Sequence, residues 1–282
     1  MKTVISASRR TDLVAFFPEW LAAVLRAKHS RVIGPRGRVC SVDLDPQSVH
    51  TVVLWSKNFG NLLQNKARLR DLLASYEQIY LHVTVTGLGG SPIEPAAPTP
   101  EEALAQLPAL VALSGRPERV SLRFDPILFW RDDGAVKSNL RFFGRIAEAA
   151  ARCGVRNIRM SFAEWYPKAR KRSSVRAFDR VEPSDDEKKD RAAVLAVEAG
   201  KWDLTLFACC QPFLTDVEGI RPSACVDGRL LEELHPLREP ASHRKDASQR
   251  KGCLCTESRD IGSYTQVCPH GCVYCYANPA SL

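Results

Sequence analysis

The sequence lacks a long uninterrupted hydrophobic segment. No apolar run in its 282 residues approaches the roughly 18 residues that a membrane-spanning helix requires. Residues 1–10 become polar too early for the hydrophobic region of a signal peptide. We therefore expect a cytoplasmic protein without a membrane partner.

The sequence also lacks an internal repeat of fixed period, and its strongest basic run lacks aromatic residues. This run covers residues 168–176 (KARKRSSVR). Proteins that bind single-stranded nucleic acid usually combine basic residues with aromatic side chains on which bases stack. The formal net charge of +8 permits a polyanionic partner but does not establish one. Nucleic acid is therefore the second choice of partner, and a solvated loop is the simpler interpretation of the run.

Ten cysteines are the most unusual feature that is present. Disulfides are rare in the cytosol, so metal binding or catalysis is the better explanation. Five of the ten lie within the last thirty residues. The composition, with 45% apolar and 26% charged residues, is otherwise that of an ordinary globular protein.

Strand-like runs alternate with helical patterns along most of the chain, which predicts an α/β fold with a mostly parallel sheet. We expect a TIM-like (β/α) barrel, complete or partial, with an open doubly wound sheet as the second choice. The barrel-like domain covers residues 1–208. An irregular, cysteine-rich metal-cluster tail covers residues 209–282. The predicted strands are 3–6, 39–44, 51–55, 79–85, 120–124, 157–162 and 204–208.

Charged residues follow several of these strands. In a barrel, the carboxyl ends of the strands meet at one mouth, where catalytic residues lie. Basic groups there suit a small anionic substrate carrying a carboxylate or phosphate. A helix cap at Asp12 and a structural ion pair between Arg123 and Asp125 are the simpler alternatives. The candidate catalytic residues are Arg9, Arg10, Asp12, Lys57, Arg123 and Asp125.

A C-x3-C-x2-C motif is formed by Cys268, Cys272 and Cys275. Three thiolates at this spacing can bind three irons of a [4Fe–4S] cluster and leave the fourth iron without a protein ligand. An open coordination position is typical of a catalytic metal site. The alternatives are a structural zinc site that includes His270 and a closed, ferredoxin-like cluster for electron transfer.

The motif, with Tyr274 before its last cysteine, resembles that of the radical S-adenosylmethionine superfamily. The resemblance implies that S-adenosylmethionine chelates the open iron and is cleaved reductively to a 5′-deoxyadenosyl radical. It also implies that Tyr274 packs near the adenine and that a flavodoxin-like or ferredoxin-like protein donates the electron. In that superfamily the motif follows the first barrel strand. Here only seven residues follow Cys275, so we expect the tail to fold back onto the barrel mouth.

A wider resemblance covers nearly the whole chain. Residues 5–12, 55–58, 123–127, 161–162 and 260–262, together with the cysteine motif, are similar to the domain of unknown function (DUF) 1848 family. That family is functionally uncharacterised, and its cysteine tail is itself compared with the radical S-adenosylmethionine motif. The resemblance supports the fold and the cluster but implies no substrate.

Four further cysteines form a second candidate set: Cys209, Cys225, Cys253 and Cys255. They could hold a second iron–sulfur cluster, a zinc ion or no metal. A Cys-x-Glu segment in the similar family favours Cys209 over Cys210, although Gln211 replaces the acid here. Cys40 and Cys153 are expected to lie in the core.

The sequence is consistent with three functions. The first is a radical S-adenosylmethionine enzyme that acts on an unknown anionic small molecule. The second uses the same chemistry for nucleic-acid repair or modification, as in spore photoproduct lyase. The third is a non-catalytic iron–sulfur or zinc module for binding or electron transfer.

Overall fold

Parallel strands form the centre of the protein in the computed structural model, which describes residues 1–33, 37, 39–263 and 265–280. The strands are β1 (Thr3–Ala7), β2 (His29–Ile33), β3 (Val39–Asp43), β4 (Val49–Ser56), β5 (Ile79–Thr84), β6 (Val120–Ile127), β7 (Phe129–Asp132), β8 (Ala135–Ser138), β9 (Asn157–Phe162), β10 (Arg180–Val181), β11 (Thr205–Cys209), β12 (Ile220–Ser223) and β13 (Arg259–Asp260).

Helices occupy most connections between these strands. They are α1 (Leu13–Phe16), α2 (Pro18–Arg26), α3 (Gly60–Leu63), α4 (Leu69–Leu73), α5 (Pro100–Leu104), α6 (Leu107–Ser114), α7 (Phe143–Arg152), α8 (Pro167–Val175), α9 (Asp185–Gly200) and α10 (Gly228–Leu234). Capping boxes start α5 at Thr99 and α9 at Ser184, because each cap side chain satisfies an amide that has no partner within the helix.

An eight-stranded sheet has the order β12-β11-β9-β6-β5-β4-β1-β13, and all of its neighbouring strands are parallel. From β1 to β12, each strand of this sheet lies beside the sheet strand that precedes it along the chain. The reversal that defines a doubly wound sheet is absent from these described strands. The carboxyl ends of the eight strands therefore all lie at the same end of the sheet.

The α/β class and the parallel sheet are confirmed, whereas closure into a complete barrel is not. In the described part of the chain, β12 and β13 are edge strands that do not pair with each other. The predicted strand 39–44 is also misplaced, because β3 pairs antiparallel with β2 in a separate hairpin. This hairpin leaves Cys40 exposed, so its predicted core position is wrong; Cys153 is only half-buried.

Apolar side chains fill the space between the sheet and its helices, including Leu54, Leu122 and Phe143. The opposite face of the sheet carries buried polar groups. Arg159, for example, donates to the hydroxyl of Tyr80 at 3.2 Å and to the carbonyl of Ala224 at 3.2 Å. The segment that contains α10 covers this face. No described helix is both long enough and apolar enough to cross a membrane.

We predict that Leu122→Ala lowers the free energy of unfolding by about 2–5 kcal/mol, because it leaves a cavity beside fully buried neighbours. Urea unfolding measures this loss. The control Val194→Ala removes a side chain that is 65% exposed and should change stability little. Equal effects of the two substitutions would contradict this description of the core.

Candidate functional site

The cysteine-rich tail lies across the carboxyl ends of the first strands. β13 pairs with β1 through Arg259 and Asp260, and the amide of Ile261 donates to the carbonyl of Ser6 at 3.0 Å. The tail then borders an open cavity of about 160 Å³. Among its lining residues are Arg9, Arg10, Asp12, Trp55, Lys57, Asp125, Cys268, His270, Cys272, Tyr274 and Cys275.

Asp12 holds the first half of the cysteine motif. Its buried carboxylate accepts hydrogen bonds from the Ser56 hydroxyl at 2.8 Å and the Lys57 amide at 2.9 Å. Nε2 of His270 lies 2.8 Å from the same carboxylate, and Nδ1 lies 3.1 Å from the carbonyl oxygen of Ala96. Both ring nitrogens therefore face oxygen atoms of the protein, which fixes the ring between Asp12 and Ala96.

Asp12 also caps α1, because its carboxylate accepts from the amide of Ala15 at 2.9 Å. The helix cap that the sequence offered as the simpler alternative for Asp12 is therefore present as well. One side chain both starts the helix and anchors the tail.

Glu94 holds the second half of the motif. It is 1% exposed and accepts from Nζ of Lys57 at 3.0 Å, from the Thr86 hydroxyl at 2.6 Å and from the Tyr274 hydroxyl. Burial by itself lowers the pKa of Lys57, but Glu94, Cys272 and Asp125 together outweigh this effect and the pKa is raised. Lys57 is therefore a cation paired inside the cavity wall.

All three motif cysteines line this cavity. Cys268 and Cys272 are buried, and Cys275 is half-buried. Burial raises the pKa of the Cys268 thiol to about 11 and also raises the pKa values of Cys272 and Cys275. The charges of Lys57 and Arg172 act in the opposite direction on Cys275. These cations favour the thiolate form that a metal ligand requires.

The basic run 168–176 forms α8, which holds the motif from outside. Arg172 donates to the carbonyl of Cys275 at 2.8 Å, and Arg176 donates to the carbonyl of Gly271 at 2.7 Å. Burial lowers the pKa of Arg172. These two arginines are thus occupied by the tail, whereas the simpler sequence interpretation placed the whole run in a solvated loop.

The second cysteine set lies beside the unpaired edges of the sheet. Cys209 ends β11, Cys225 follows β12, and Cys253 and Cys255 precede β13. All four are buried, and the sulfurs of Cys209 and Cys225 are 3.4 Å apart. Side-chain hydrogen bonds connect Cys225 to Cys255 and Cys255 to Cys253.

Cys210 is a fifth member that sequence reasoning set aside. Its thiol hydrogen-bonds with Cys209 and Cys253, and its backbone has the left-handed φ of +56°. Hydrogen bonding from Cys210 lowers the pKa of Cys253 to about 3. Hydrogen bonding from Cys209 and Cys255 likewise lowers the pKa of Cys225. A group in which some thiols donate to neighbouring thiolates has the chemistry of a metal-ligand set.

Arg123 lies between the two cysteine sets. It donates to the sulfur of Cys225 at 2.9 Å and forms an ion pair with Asp125, which lines the cavity. Arg123 and Arg9 both contact the ring of Trp55, at 5.2 Å and 5.3 Å from its centroid. Burial alone would lower the pKa of Arg123, but Cys225 and Asp125 raise it.

Arg9 and Arg10 are fixed by the returning tail. The Arg9 amide donates to Asp260 at 2.8 Å, and Nη1 of Arg10 donates to the carbonyl of Gly262 at 2.7 Å. Nη1 of Arg9 donates to Ser258 at 3.2 Å. Its Nη2 is buried and has no hydrogen-bond partner among the described residues. Burial alone would lower the pKa of Arg9, but the charges of Cys255 and Asp260 raise it, so Arg9 is a cation beside the second cysteine set.

Glu94 and His270 are the residues whose roles the sequence did not reveal. Glu94 lies in a turn-rich segment of glycines and prolines between β5 and α5, where no periodic pattern marks it. His270 was considered only as a zinc ligand. Its position between two motif cysteines was the available signal.

A separate polar group lies away from this cavity. Donor atoms of Glu77, His235 and Glu239 lie within 4.8 Å of one another and could hold a metal ion. Lys2 already pairs with both glutamates, at 2.9 Å and 2.7 Å. The Leu237 amide donates to Nδ1 of His235 at 3.3 Å, so this nitrogen is already engaged, and Nε2 lies 3.1 Å from Glu77. The arrangement fits an ion-pair cluster better than a metal site.

Comparison with known proteins gives one family match. A family model described as a domain of unknown function (DUF1848) matches residues 4–277. No curated protein matches the chain.

We predict that Glu94→Gln destabilises the protein by about 3–5 kcal/mol, because the buried charge of Lys57 loses its partner. Urea unfolding under anaerobic conditions measures the effect. Glu118→Gln is the matched control, since Glu118 forms an exposed ion pair with Arg116 and should matter little. Wild-type stability of Glu94→Gln would mean that the buried pair does not hold the motif.

Proposed function

The chain belongs to the DUF1848 family, whose function is unknown, and we propose that it is a radical S-adenosylmethionine enzyme that acts on a small anionic substrate. The observation that carries this proposal is the position of Cys268, Cys272 and Cys275. They lie together on a cavity at the carboxyl ends of parallel strands, where enzymes of this architecture place their chemistry.

The donor set fits a [4Fe–4S] cluster better than a zinc ion. Thiolates on one tetrahedral zinc lie roughly 3.8 Å apart, given Zn–S bonds of about 2.3 Å. Among the described residues, no three cysteine sulfurs lie within 4.8 Å of one another. His270 is also engaged through both ring nitrogens, so it is not available as a fourth ligand. This spacing favours the larger cluster and leaves one iron for S-adenosylmethionine.

When bound and reduced, the cluster supplies the electron that cleaves S-adenosylmethionine to a 5′-deoxyadenosyl radical. The chain's own residues position the reactants. Lys57 and Glu94 form a neutral pair in the wall, and the positive charge of Arg9, which lines the cavity, suits an anionic group. The ring of Tyr274 lines the same cavity, which suits contact with the adenine. Arg10, Arg123 and Asp125 complete the proposed site.

The second set, Cys209, Cys225, Cys253 and Cys255, is proposed to hold a second iron–sulfur cluster. Its cysteines come from both sides of the gap between β12 and β13. A metal group there would join the two edges of the sheet, which would then act as a partial barrel. All ten cysteines are free thiols, which supports work in the reducing cytoplasm with a flavodoxin-like or ferredoxin-like electron donor.

We predict that the anaerobically reconstituted protein, once reduced, converts S-adenosylmethionine to 5′-deoxyadenosine. Chromatography of the products measures this conversion. Cys272→Ala should abolish it, whereas Cys40→Ala changes an exposed cysteine and should not affect it. Iron incorporation without 5′-deoxyadenosine would favour the non-catalytic electron-transfer module. Zinc without iron would contradict the proposed cluster.

We also predict that replacing Cys268, Cys272 and Cys275 together by alanine leaves roughly half of the iron, because the second set forms separate contacts. Iron analysis after anaerobic reconstitution measures the content, with circular dichroism to verify folding. The double variant Cys40→Ala/Cys153→Ala should retain all of the iron. Complete loss of iron from a folded triple variant would mean that the protein holds a single cluster.

A further inference from the structure

A second cavity, of about 980 Å³, lies behind the cysteine motif. Its walls are the loop 87–95 after β5, the β7–β8 hairpin, the residues just before α7 and the segment after α8. Val273 of the motif forms part of the wall. The volume is at the upper end of the about 300–1,000 Å³ that is usual for small-molecule sites. The function proposed above makes no use of this cavity.

Three basic and three acidic residues line the cavity, and the two signs are paired unequally. Each of its lining carboxylates is paired with a basic residue: Asp179 with Arg131, Asp132 with Lys137 and Glu101 with Arg145. Arg141 and Arg176 also line it, and neither forms a salt bridge with a carboxylate among the described residues. Nη2 of Arg176 is buried without a hydrogen-bond partner in this part of the chain. The guanidinium of Arg141 is therefore left to bind an anion, and Arg176, whose Nη1 donates to the carbonyl of Gly271, can add its Nη2.

Aromatic rings form the rest of the wall. Trp130 and Phe178 pack with ring centroids 6.3 Å apart, and Arg141 lies 4.9 Å from the ring centroid of Phe142. Gly87 makes room for this ring, because a Cβ atom there would lie 2.2 Å from the Phe142 side chain. The half-buried rings of Trp130, Phe142 and Phe178 offer flat surfaces on which a heterocyclic base can stack.

We propose that this cavity binds a nucleoside phosphate, with the base against the aromatic rings and the phosphate at Arg141 and Arg176. A planar guanidinium matches a phosphate through two parallel hydrogen bonds. Neither the rings alone nor the arginines alone select this ligand class, but their combination around one nucleotide-sized cavity does. The same chemistry is offered by a free nucleotide and by a nucleotide within a single strand.

Isothermal titration calorimetry of the intact, anaerobically prepared protein tests the proposal with AMP, adenosine, inorganic phosphate and a short oligoadenylate. We expect AMP to bind at least about tenfold more tightly than adenosine or phosphate, because it uses both parts of the cavity. Tighter binding of the oligoadenylate would identify a strand as the source of the nucleotide. The measurement needs no turnover, so its result is separate from that of the 5′-deoxyadenosine assay.

Arg141→Gln should weaken AMP binding by about tenfold, and Trp130→Leu should also weaken it. Arg145→Gln is the matched control, since Arg145 lies one helical turn further along and pairs with Glu101 at 2.7 Å. It should leave the affinity unchanged. Three results would each overturn the proposal: no binding of AMP or oligoadenylate, equal binding of adenosine and AMP, or equal losses in Arg141→Gln and Arg145→Gln.

Discussion

Two buried carboxylates, Asp12 and Glu94, hold the cysteine motif against the sheet. Removing a carboxylate from water is costly unless charges and hydrogen bonds compensate for it. His270 and the Ser56 hydroxyl compensate Asp12; Lys57 and the Tyr274 hydroxyl compensate Glu94. Two of these partners, His270 and Tyr274, lie between the motif cysteines in the sequence. The motif is therefore held in place by side chains other than its three cysteines. The sulfurs remain available for a ligand.

A second support acts on the backbone of the motif. Arg172 in α8 and Arg176 just after it donate to carbonyls of the motif, so the motif lies between the sheet and a helix. A loop with few regular hydrogen bonds would otherwise open easily. Arg172 also brings positive charge towards the thiol of Cys275, which must lose its proton to bind metal. One helix therefore serves both the position of the motif and its chemistry.

The sequence predicted the elements that have strong local patterns. Six of the seven predicted strands lie in the main sheet as β1, β4, β5, β6, β9 and β11. The short strands β12 and β13 were missed because four and two residues are too few to show a period of two. Strand 39–44 was misplaced because a local pattern does not reveal its partner strand.

Some residues of the candidate site could likewise be predicted from local sequence patterns, and others could not. The polar ends of strands led to Asp12, Lys57 and Asp125, which the structure brings to one cavity. Glu94 could not be found, because it lies outside any periodic element and its partners are distant in the chain. Cys210 was excluded by analogy, yet its left-handed backbone turns the chain beside Cys253. Contacts that depend on tertiary structure leave no trace in a single sequence.

The link between the two cysteine sets explains why arginine, rather than lysine, occupies position 123. The guanidinium reaches the sulfur of Cys225 and the carboxylate of Asp125 while its carbon lies over Trp55. Lysine has three donors on a single nitrogen, so it cannot reproduce this planar fork or stack in the same way. A change in the charge of Cys225 therefore changes the electrostatic interaction between Arg123 and Asp125 on the cavity wall. This arrangement couples the electrostatics of the two sets.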